Sequence, residues 1–344
     1  MEIAYKKHRI ILNHTFGISR SKNDWYDRII IYFKKENIIG IGEVAPSIRY
    51  NETIELVEKV LRSNLKLPSH FSSVNEISKY LHPQLMGLKS LEMGLNMAIW
   101  DWKGKINKSP IYELIGSNNY KMPLTSYTIA IGDLMDIATK VKEAKKYSIL
   151  KVKLGKKGKN KQIIKEVRNH TNKLIRVDAN EAWDLGYALE MCKWLADYNV
   201  EFIEQPFPAD KLDQTYLLKK KSPIEIFADE NSISSLDIPN IKHAFDGINI
   251  KLMKCGSFEE AIRMVKLAKL NKMKIMIGCM VETSVGITAA SHLAALADYV
   301  DLDGNLLIKN DPFIGVKVVK GALKLPVGDG IGVALKKEYK ELKL

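Results

Sequence analysis

The fold is decided between residues 174 and 230, where three short apolar runs each end in acidic residues. These runs are LIRVDAN at 174–180, VEFIEQP at 200–206 and EIFADE at 225–230. Each run has the length and the Ile, Val and Phe content of a buried strand, and a segment of helical character separates it from the next. We therefore predict consecutive strand–helix units, with Asp178, Glu204 and Asp229 at the ends of neighbouring strands.

The same unit repeats on both sides of this stretch. Strand-like runs occur at residues 127–131, 150–154, 174–178, 200–204, 225–229, 247–251, 274–278 and 299–303, and their ends lie 22 to 27 residues apart. That spacing is what a strand, a helix and two short loops require. Eight such units, with no GxGxxG motif after the first strands, favour an α/β barrel of the (β/α)8 type over an open doubly wound sheet. No long eighth helix is predicted, which gives the form (β/α)7β.

The first third of the chain has a different pattern of predicted strands and helices. Residues 3–12, 26–33 and 38–43 are strand-like and suggest an antiparallel meander, and helical patterns follow at 51–65, 73–80 and 90–104. We predict an α+β unit at residues 1–120, a barrel at 121–310 and a C-terminal segment at 311–344. The strand-like residues 315–325 are expected to return to the N-terminal unit.

The composition excludes several classes of protein. The chain has 344 residues, 46% of them hydrophobic and 27% charged, so it is neither collagen-like nor disordered. It contains no apolar run of the roughly 18 residues that a membrane helix needs, and the apolar patch near its start is too short for a secretory signal. Cys192, Cys255 and Cys279 form no CxxC motif, which disfavours a disulfide framework or a cysteine zinc site. We expect a soluble, cytoplasmic protein without a membrane partner.

The net charge of +13 raises the question of nucleic-acid binding. The lysines are scattered, and their densest cluster, at residues 151–161, has no interleaved aromatic residues for stacking on bases. No helix-turn-helix, zinc-finger or RRM pattern is present. A solvated lysine-rich surface is the favoured interpretation, with no nucleic-acid partner. A non-catalytic basic barrel that binds polyanions is kept as a distant alternative.

Active sites of such barrels lie at the carboxyl ends of the strands, and here those ends are polar. One polar residue at a strand end is usually a loop residue or a helix cap. Capping does not explain why all strands from the second to the eighth end in this way. The residues concerned are Lys151, Lys153, Asp178, Asn180, Glu204, Asp229, Glu230, Lys251, Glu282, Asp301 and Asp303.

Asp178, Glu204 and Asp229 come from three neighbouring strands, so their carboxylates can converge. Three unpaired anions in one pocket would raise each other's pKa, and a divalent cation resolves that conflict. Ligation by oxygen alone, without Cys or His, suggests Mg²⁺, one per subunit, with Mn²⁺ as a substitute.

Strands two and six are diametrically opposite in an eight-stranded barrel. Lys153 and Lys251 would therefore approach a metal-bound substrate from its two faces, one removing a proton and the other returning it. A metal on both oxygens of a carboxylate stabilises the enediolate that forms, and a partly desolvated lysine near a cation has its pKa lowered toward neutrality. Inversion at the α-carbon is the expected outcome.

Five motifs in order, KVK at 151–153, VDAN at 177–180, IEQP at 203–206, ADE at 228–230 and NIK at 249–251, resemble the enolase superfamily, muconate-lactonizing-enzyme subgroup. The resemblance spans essentially the whole chain and implies that residues 1–120 are a capping domain completed by C-terminal residues. It implies the Mg²⁺ ligands and the lysine acid/base pair named above. It also implies that Lys151 lies near the substrate carboxylate, with Asn180 and Glu230 in supporting roles.

Within the subgroup, residues 280–287 and the pair Asp301 and Asp303 are similar to dipeptide epimerases. The resemblance implies that the two aspartates bind the free α-ammonium of a dipeptide and that the C-terminal residue of an L,L-dipeptide is epimerised. If these aspartates were only an exposed turn before Gly304, other members of the subgroup would be favoured. Those alternatives are o-succinylbenzoate synthase, N-acylamino-acid racemase and muconate cycloisomerase.

Substrate preference in this family is set by two cap loops, here about residues 15–24 and 45–51. Arg20 is a candidate to pair with an acidic substrate side chain, Tyr50 to wall the mouth, and Thr128 to contact the bound carboxylate. Glu282 either supports the site or only holds neighbouring hydroxyls. The preferred dipeptide stays open, as does assembly into a homo-oligomer.

Overall fold

The computed structural model describes residues 1–117, 121–155 and 158–344. Lys156 and Lys157 of the lysine cluster lie outside these residues. The chain begins with an antiparallel sheet in the order β1-β2-β3, followed by four helices. The strands are β1 (Glu2–Gly17), β2 (Lys22–Lys35) and β3 (Ile38–Val44), and the helices are α1 (Ile54–Arg62), α2 (Val74–Leu81), α3 (Lys89–Asn107) and α4 (Ile111–Leu114). The three predicted strands and three predicted helices are each found.

Strand β2 joins two cores because its side chains alternate between the two faces of the sheet. Ile29, Ile31 and Phe33 pack with apolar residues of α1, α2 and α3, whereas Ile30 and Tyr32 belong to the core shared with the barrel. Helix α3 approaches β3 closely at Gly42, where a Cβ would lie 2.0 Å from the carbonyl oxygen of Gly94. The N-terminal sheet is thus held between its own helices and the barrel.

The barrel prediction is confirmed by a nearly closed parallel sheet of eight strands in the order β4 to β11. The strands are β4 (Tyr127–Ile129), β5 (Ile149–Lys153), β6 (Leu174–Asp178), β7 (Val200–Glu204), β8 (Glu225–Ala228), β9 (Gly247–Lys251), β10 (Lys274–Gly278) and β11 (Tyr299–Asp301). The helices are α5 (Leu134–Glu143), α6 (Asn160–His170), α7 (Leu185–Leu195), α8 (Leu212–Lys221), α9 (Ile238–Ile241), α10 (Leu252–Cys255), α11 (Phe258–Leu270) and α12 (Ser284–Ser291). A bridge between Thr125 and Val300 links the first and last strand regions.

After β11 the chain forms a short 3-10 turn at Gly304–Leu307 rather than a long helix, as expected. Strands β12 (Phe313–Ile314) and β15 (Ala334–Leu335) then pair with each other, as do β13 (Lys317–Val319) and β14 (Ala322–Lys324). Residues 315–325 therefore do not join the N-terminal sheet, because β13 and β14 satisfy their backbone groups in their own hairpin.

Later residues of the C-terminal segment contact the N-terminal unit. The Lys6 Nζ donates to the carbonyl oxygens of Glu341 and Lys343, each at 2.6 Å, and the Ile331 amide donates to Asp101 Oδ1 at 2.8 Å. None of the helices in the described part of the chain combines the length and apolarity needed to span a bilayer.

Candidate active site

Strand register brings the predicted acidic residues to one level of the barrel. Lys153 is the register partner of Asp178, and Asp178 is the register partner of Glu204. Asp229 follows β8 directly. One oxygen from each of Asp178, Glu204 and Asp229 lies within 4.8 Å of the others, and all three residues are buried. We call these three residues the acidic triad.

The triad suits a hard divalent cation, because it offers three buried carboxylates and no imidazole or thiolate. In this structure lysines balance its charge. Burial opposes ionisation of Asp178, but Lys153 and Lys151 outweigh it and lower its pKa. Burial and the neighbouring Asp178 raise the pKa of Glu204. Asp229 has a pKa well below its ordinary value, because Lys251 and Lys254 outweigh its burial.

The two predicted acid/base lysines contact different members of the triad. Lys153 Nζ donates to Asp178 Oδ2 at 2.6 Å, and Lys251 Nζ donates to Asp229 Oδ2 at 2.7 Å. They come from β5 and β9, which are separated by three strands in the sheet and so face each other across an eight-stranded barrel. Both side chains are buried.

Opposing effects act on the pKa of Lys251. Burial lowers the pKa of this ammonium, but Asp229 and Glu204 raise it by more, so the pKa lies above its ordinary value. Lowering of this pKa by a neighbouring cation stays a prediction.

Lys151 links the triad to the aspartates of the last strand. Its Nζ lies 2.6 Å from Glu204 Oε2, 3.2 Å from Asp178 Oδ2 and 2.7 Å from Asp301 Oδ2. Ser126 Oγ also donates to Asp301, at 2.6 Å. Burial opposes the ionisation of Asp301, but Lys151 and these hydrogen bonds lower its pKa to about 2.

Asp303 differs from Asp301 although both are buried. Its Oδ2 accepts from the Thr128 backbone amide at 2.6 Å. The predicted contact of Thr128 with a substrate carboxylate stays a prediction. Burial and the nearby Asp301 raise the pKa of Asp303 to about 7. The two residues are only 5% and 3% exposed. The alternative in which they form an exposed turn therefore does not hold.

Arg20 fastens a cap loop to the barrel. Its guanidinium donates to the Asn180 carbonyl at 2.9 Å, to Glu181 at 2.8 Å and to Glu230 at 2.8 Å. Arg49 of the second cap loop binds both oxygens of Glu181, at 2.7 and 2.6 Å. Arg20 is thus paired with carboxylates of the protein itself, and its role toward a substrate stays a prediction.

Asn180 and Glu230 lie beside the triad. The Asn180 backbone N–H donates to Asp178 Oδ1 at 2.9 Å and so holds that carboxylate. The backbone of Asn180 is left-handed, with φ 44°. Burial and the charges of Asp229 and Asp178 raise the pKa of Glu230 to about 7, while Arg20 opposes this shift. Asn180 therefore contacts the triad after β6, and Glu230 lies beside it after β8.

Glu282 is buried at the end of β10 and faces a second carboxylate. Burial and Glu43 raise its pKa to about 8, and its Oε1 accepts from the Met280 amide at 2.7 Å. The neighbouring hydroxyl of Thr283 donates to Glu43 instead, at 2.6 Å. The predicted alternative, in which Glu282 accepts hydrogen bonds from neighbouring hydroxyls, is therefore wrong for the Thr283 hydroxyl.

From the sequence no role was predicted for Lys254, and Asn249 was quoted only within the NIK motif. Lys254 is 1% exposed, and its Nζ donates to Asp229 Oδ1 at 2.6 Å and to the Asn249 carbonyl at 3.0 Å. The Asn249 amide donates to Glu204 Oε1 at 2.7 Å. Strand alternation could have found Asn249, which shares the inward face of β9 with Lys251. Lys254 follows Lys251 by one helical turn, a weaker signal.

The chain is similar to a family model and to several known proteins. Residues 133–340 match the family described as enolase C-terminal domain-like. An L-Ala-D/L-Glu epimerase from Bacteroides thetaiotaomicron is 38% identical over 336 residues, which cover 97% of this chain and 88% of that protein. An L-Ala-D/L-amino acid epimerase from Maribacter is 36% identical, with 97% and 99% covered. The crystal structure of a dipeptide epimerase from Cytophaga hutchinsonii, complexed with Mg and D-Ala-L-Val, has a TM-score of 0.92 and 25% identity, covering 99% of this chain and 97% of that one.

Proposed function

The chain belongs to the enolase C-terminal domain-like family, and from that premise we propose that it is an isomerase, a Mg²⁺-dependent dipeptide epimerase. The reaction inverts the α-carbon of the C-terminal residue of an L,L-dipeptide by moving one proton between two lysines. The observation that carries the proposal is the acidic triad with Lys153 on one member and Lys251 on another, from opposite sides of the barrel. The named epimerases among the relatives support the same substrate class.

Asp178, Glu204 and Asp229 would hold the cation. When bound, a divalent ion supplies a Lewis acid that stabilises the negative charge appearing on a substrate carboxylate as the α-proton leaves. The chain itself keeps the three ligands in place. Asn249 and Asn180 each donate to one triad carboxylate, and Lys254 donates to the third.

Lys153 and Lys251 hold and move the proton. One must be neutral to accept the α-proton, and the other must be protonated to deliver one to the opposite face. At Lys251 burial favours the neutral form of the ammonium, whereas Asp229 and Glu204 favour the charged form. Neutralising the triad charge would therefore lower the pKa of Lys251 toward the working range of a base.

Asp301 and Asp303 would bind the free ammonium of the dipeptide. Both are buried, and Asp301 pairs with Lys151, which also contacts Glu204 of the acidic triad. A zwitterionic dipeptide needs such opposite charges at its two ends. Substrates of o-succinylbenzoate synthase, N-acylamino-acid racemase and muconate cycloisomerase have no free ammonium, so this pair favours a dipeptide.

The remaining assignments stay predictions. We place the enzyme in the cytoplasm with a small-molecule substrate and no nucleic-acid partner, as the composition indicates, and we leave assembly into a homo-oligomer to measurement. Arg20 is paired with Glu181 and Glu230, so its contacts indicate no preferred substrate side chain.

The test is to incubate the protein with pooled L,L-dipeptides in D₂O with Mg²⁺ and to follow the masses of the dipeptides. We expect one deuterium per molecule at the α-carbon of the C-terminal residue, no gain in the presence of a chelator, and recovery when Mg²⁺ is returned. Turnover of an N-acylated amino acid with no exchange in any dipeptide would contradict the proposal. Salt-sensitive binding to polyanions without metal-dependent turnover would instead favour the basic barrel.

A further inference from the structure

A polar cavity of about 590 Å³ lies outside the barrel mouth, between the N-terminal sheet and the first barrel helix. It is bordered by the end of β1, the start of β2, the loop after β4, α5 and Lys309. No member of the acidic triad and neither of the paired lysines lines it. Its size is in the range of small-molecule sites, so it has room for a ligand with several heavy atoms.

Lys140 is the feature that points to a ligand. It lies on α5, it is 7% exposed, and it lines the cavity. Its Nζ lies against Gly132, at 2.6 Å from the position that a Cβ would occupy at that glycine. Within residues 1–117, 121–155 and 158–344, no ion pair or hydrogen bond engages this ammonium.

The other buried lysines behave differently. The described chain buries Lys151, Lys153, Lys251 and Lys254 as well, and each of these ammonium groups contacts a carboxylate at 2.7 Å or less. A buried ammonium without a partner is costly, because it has lost water and gained no opposite charge. Lys140 is therefore the buried lysine of the described residues for which the chain supplies no counter-ion.

Nearby carboxylates do not fill that role. Asp133 and Asp136 line the cavity, as Asp24 does, but all three are exposed, and neither Asp133 nor Asp136 forms an ion pair with Lys140. Glu143 is also exposed and is 2.7 Å from His14 Nε2. Burial lowers the pKa of Lys140, and Asp133, Asp136 and Glu143 only partly oppose the shift. Lys22 and Lys309 add two exposed ammonium groups at the rim of the cavity.

We propose that this cavity binds a small oxyanion, a carboxylate or a phosphate, with a negatively charged oxygen on the ammonium of Lys140. Lys22 and Lys309 would attract the anion at the rim, and the hydroxyl of Thr139, which also lines the cavity, would offer a donor. Thr15 and Asp24 lie on the same wall, at the two ends of the first cap loop. The site thus joins the base of that loop to the barrel.

The test uses the full-length protein, labelled with ¹³C and ¹⁵N at lysine, titrated with sodium phosphate and separately with sodium acetate. Sodium chloride at the same ionic strength is the reference. We expect a saturable shift of the Lys140 Nζ and Cε signals with one of the two anions and no comparable shift with chloride. The arm that saturates first distinguishes a phosphate ligand from a carboxylate ligand.

Two variants complete the test. Lys140→Met, followed through the Nζ and Cε signals of Lys22 and Lys309 at the rim, should weaken binding of that anion by about 10-fold or more, since it removes a charge-assisted hydrogen bond. Lys142→Met, which removes an exposed lysine of the same helix, should leave binding within about 2-fold of the parent. The absence of saturable binding of either anion to the parent protein, or equal binding by Lys140→Met, would overturn the proposal. Neither outcome depends on dipeptide turnover.

Discussion

Inside the barrel a cluster of aromatic rings, here called the ring end, lies on the amino-terminal side of a cluster of carboxylates and lysines, the charged end. Phe202 and Phe227 stack with centroids 4.2 Å apart and pack with Met276 and Tyr299, and the Arg176 guanidinium lies over the rings of Phe202 and Tyr299. Two residues further along the same strands, Glu204 and Asp229 belong to the acidic triad. Both sets point inward, because side chains alternate along a strand. Inward direction alone therefore does not decide polarity.

The two ends differ in what they contribute. Burial of rings and their edge and stacking contacts stabilise the fold. Buried carboxylates and lysines give little net stability, since removal from water offsets their attraction. We infer that the ring end holds the barrel together, whereas the charged end is kept for chemistry. Substitutions at the two ends should then have opposite consequences.

The largest expected effect is on activity at the charged end. Lys153→Met and Lys251→Met should each lower the rate of epimerisation by about 10²–10⁴-fold, because each removes one of the two groups that transfer the proton. Asp229 keeps Lys254 as a partner when Lys251 is lost, so the fold should persist. Rates from α-deuterium incorporation and melting curves check both points. A variant that retained more than a tenth of the parent rate would exclude that lysine from proton transfer.

The ring end should show the reverse behaviour. Phe227→Ala should lower the free energy of unfolding by about 3–5 kcal/mol, because it opens a cavity against Phe202, Tyr299 and Gly247. The rate per folded molecule should fall much less than in either lysine variant, because both proton-transfer groups remain. Urea unfolding and turnover at low temperature measure the two quantities. Phe227→Leu is the matched control with a smaller loss. Equal losses of rate and stability would show that the two ends are not separable.

A third expectation concerns a buried histidine that belongs to neither end. His292 Nδ1 accepts from the Tyr112 amide at 3.2 Å, and burial lowers the pKa of His292 to about 4. Because the folded state disfavours the protonated ring, its contribution to stability is present above the unfolded pKa of about 6.5 and is lost as the pH falls toward 4. The loss amounts to about 3 kcal/mol.

Unfolding free energies of the parent and of His292→Gln between pH 4 and pH 7 measure this contribution. The difference between the two proteins should shrink as the pH falls. A difference that stayed constant over this range would place the protonation elsewhere.

The smallest expected effect tests how the triad is held. Asn249→Ala removes the amide that donates to Glu204 and should weaken Mg²⁺ binding by about 10-fold to 100-fold. Met276 is the register partner of Asn249 on the next strand, so Met276→Leu is a control at the same level of the barrel. Calorimetric titration with Mg²⁺ compares the two. Similar affinities for both variants would mean that Glu204 does not need its amide donor.

The sequence predicted the eight barrel strands well, because their spacing and their polar ends follow from local pattern. Asp178, Glu204 and Asp229 were brought together by a topological rule, since neighbouring parallel strands end at one edge. The contacts of Arg20 with Glu181 and Glu230 could not be predicted, because they join residues far apart in the chain and depend on where the cap loop lies. The ion pair between Lys151 and Asp301 could not be predicted either, because these residues are 150 positions apart in the chain. Residues 315–325 looked strand-like, but pattern does not say which strand will be the partner.

The most direct test is a crystal structure of the protein with Mn²⁺ and an unreactive dipeptide. We predict an anomalous peak at about 2.1–2.3 Å from carboxylate oxygens of Asp178, Glu204 and Asp229, with the Nζ atoms of Lys153 and Lys251 on opposite faces of the α-carbon. An ion bound elsewhere, or both ammonium groups on one face, would contradict the account.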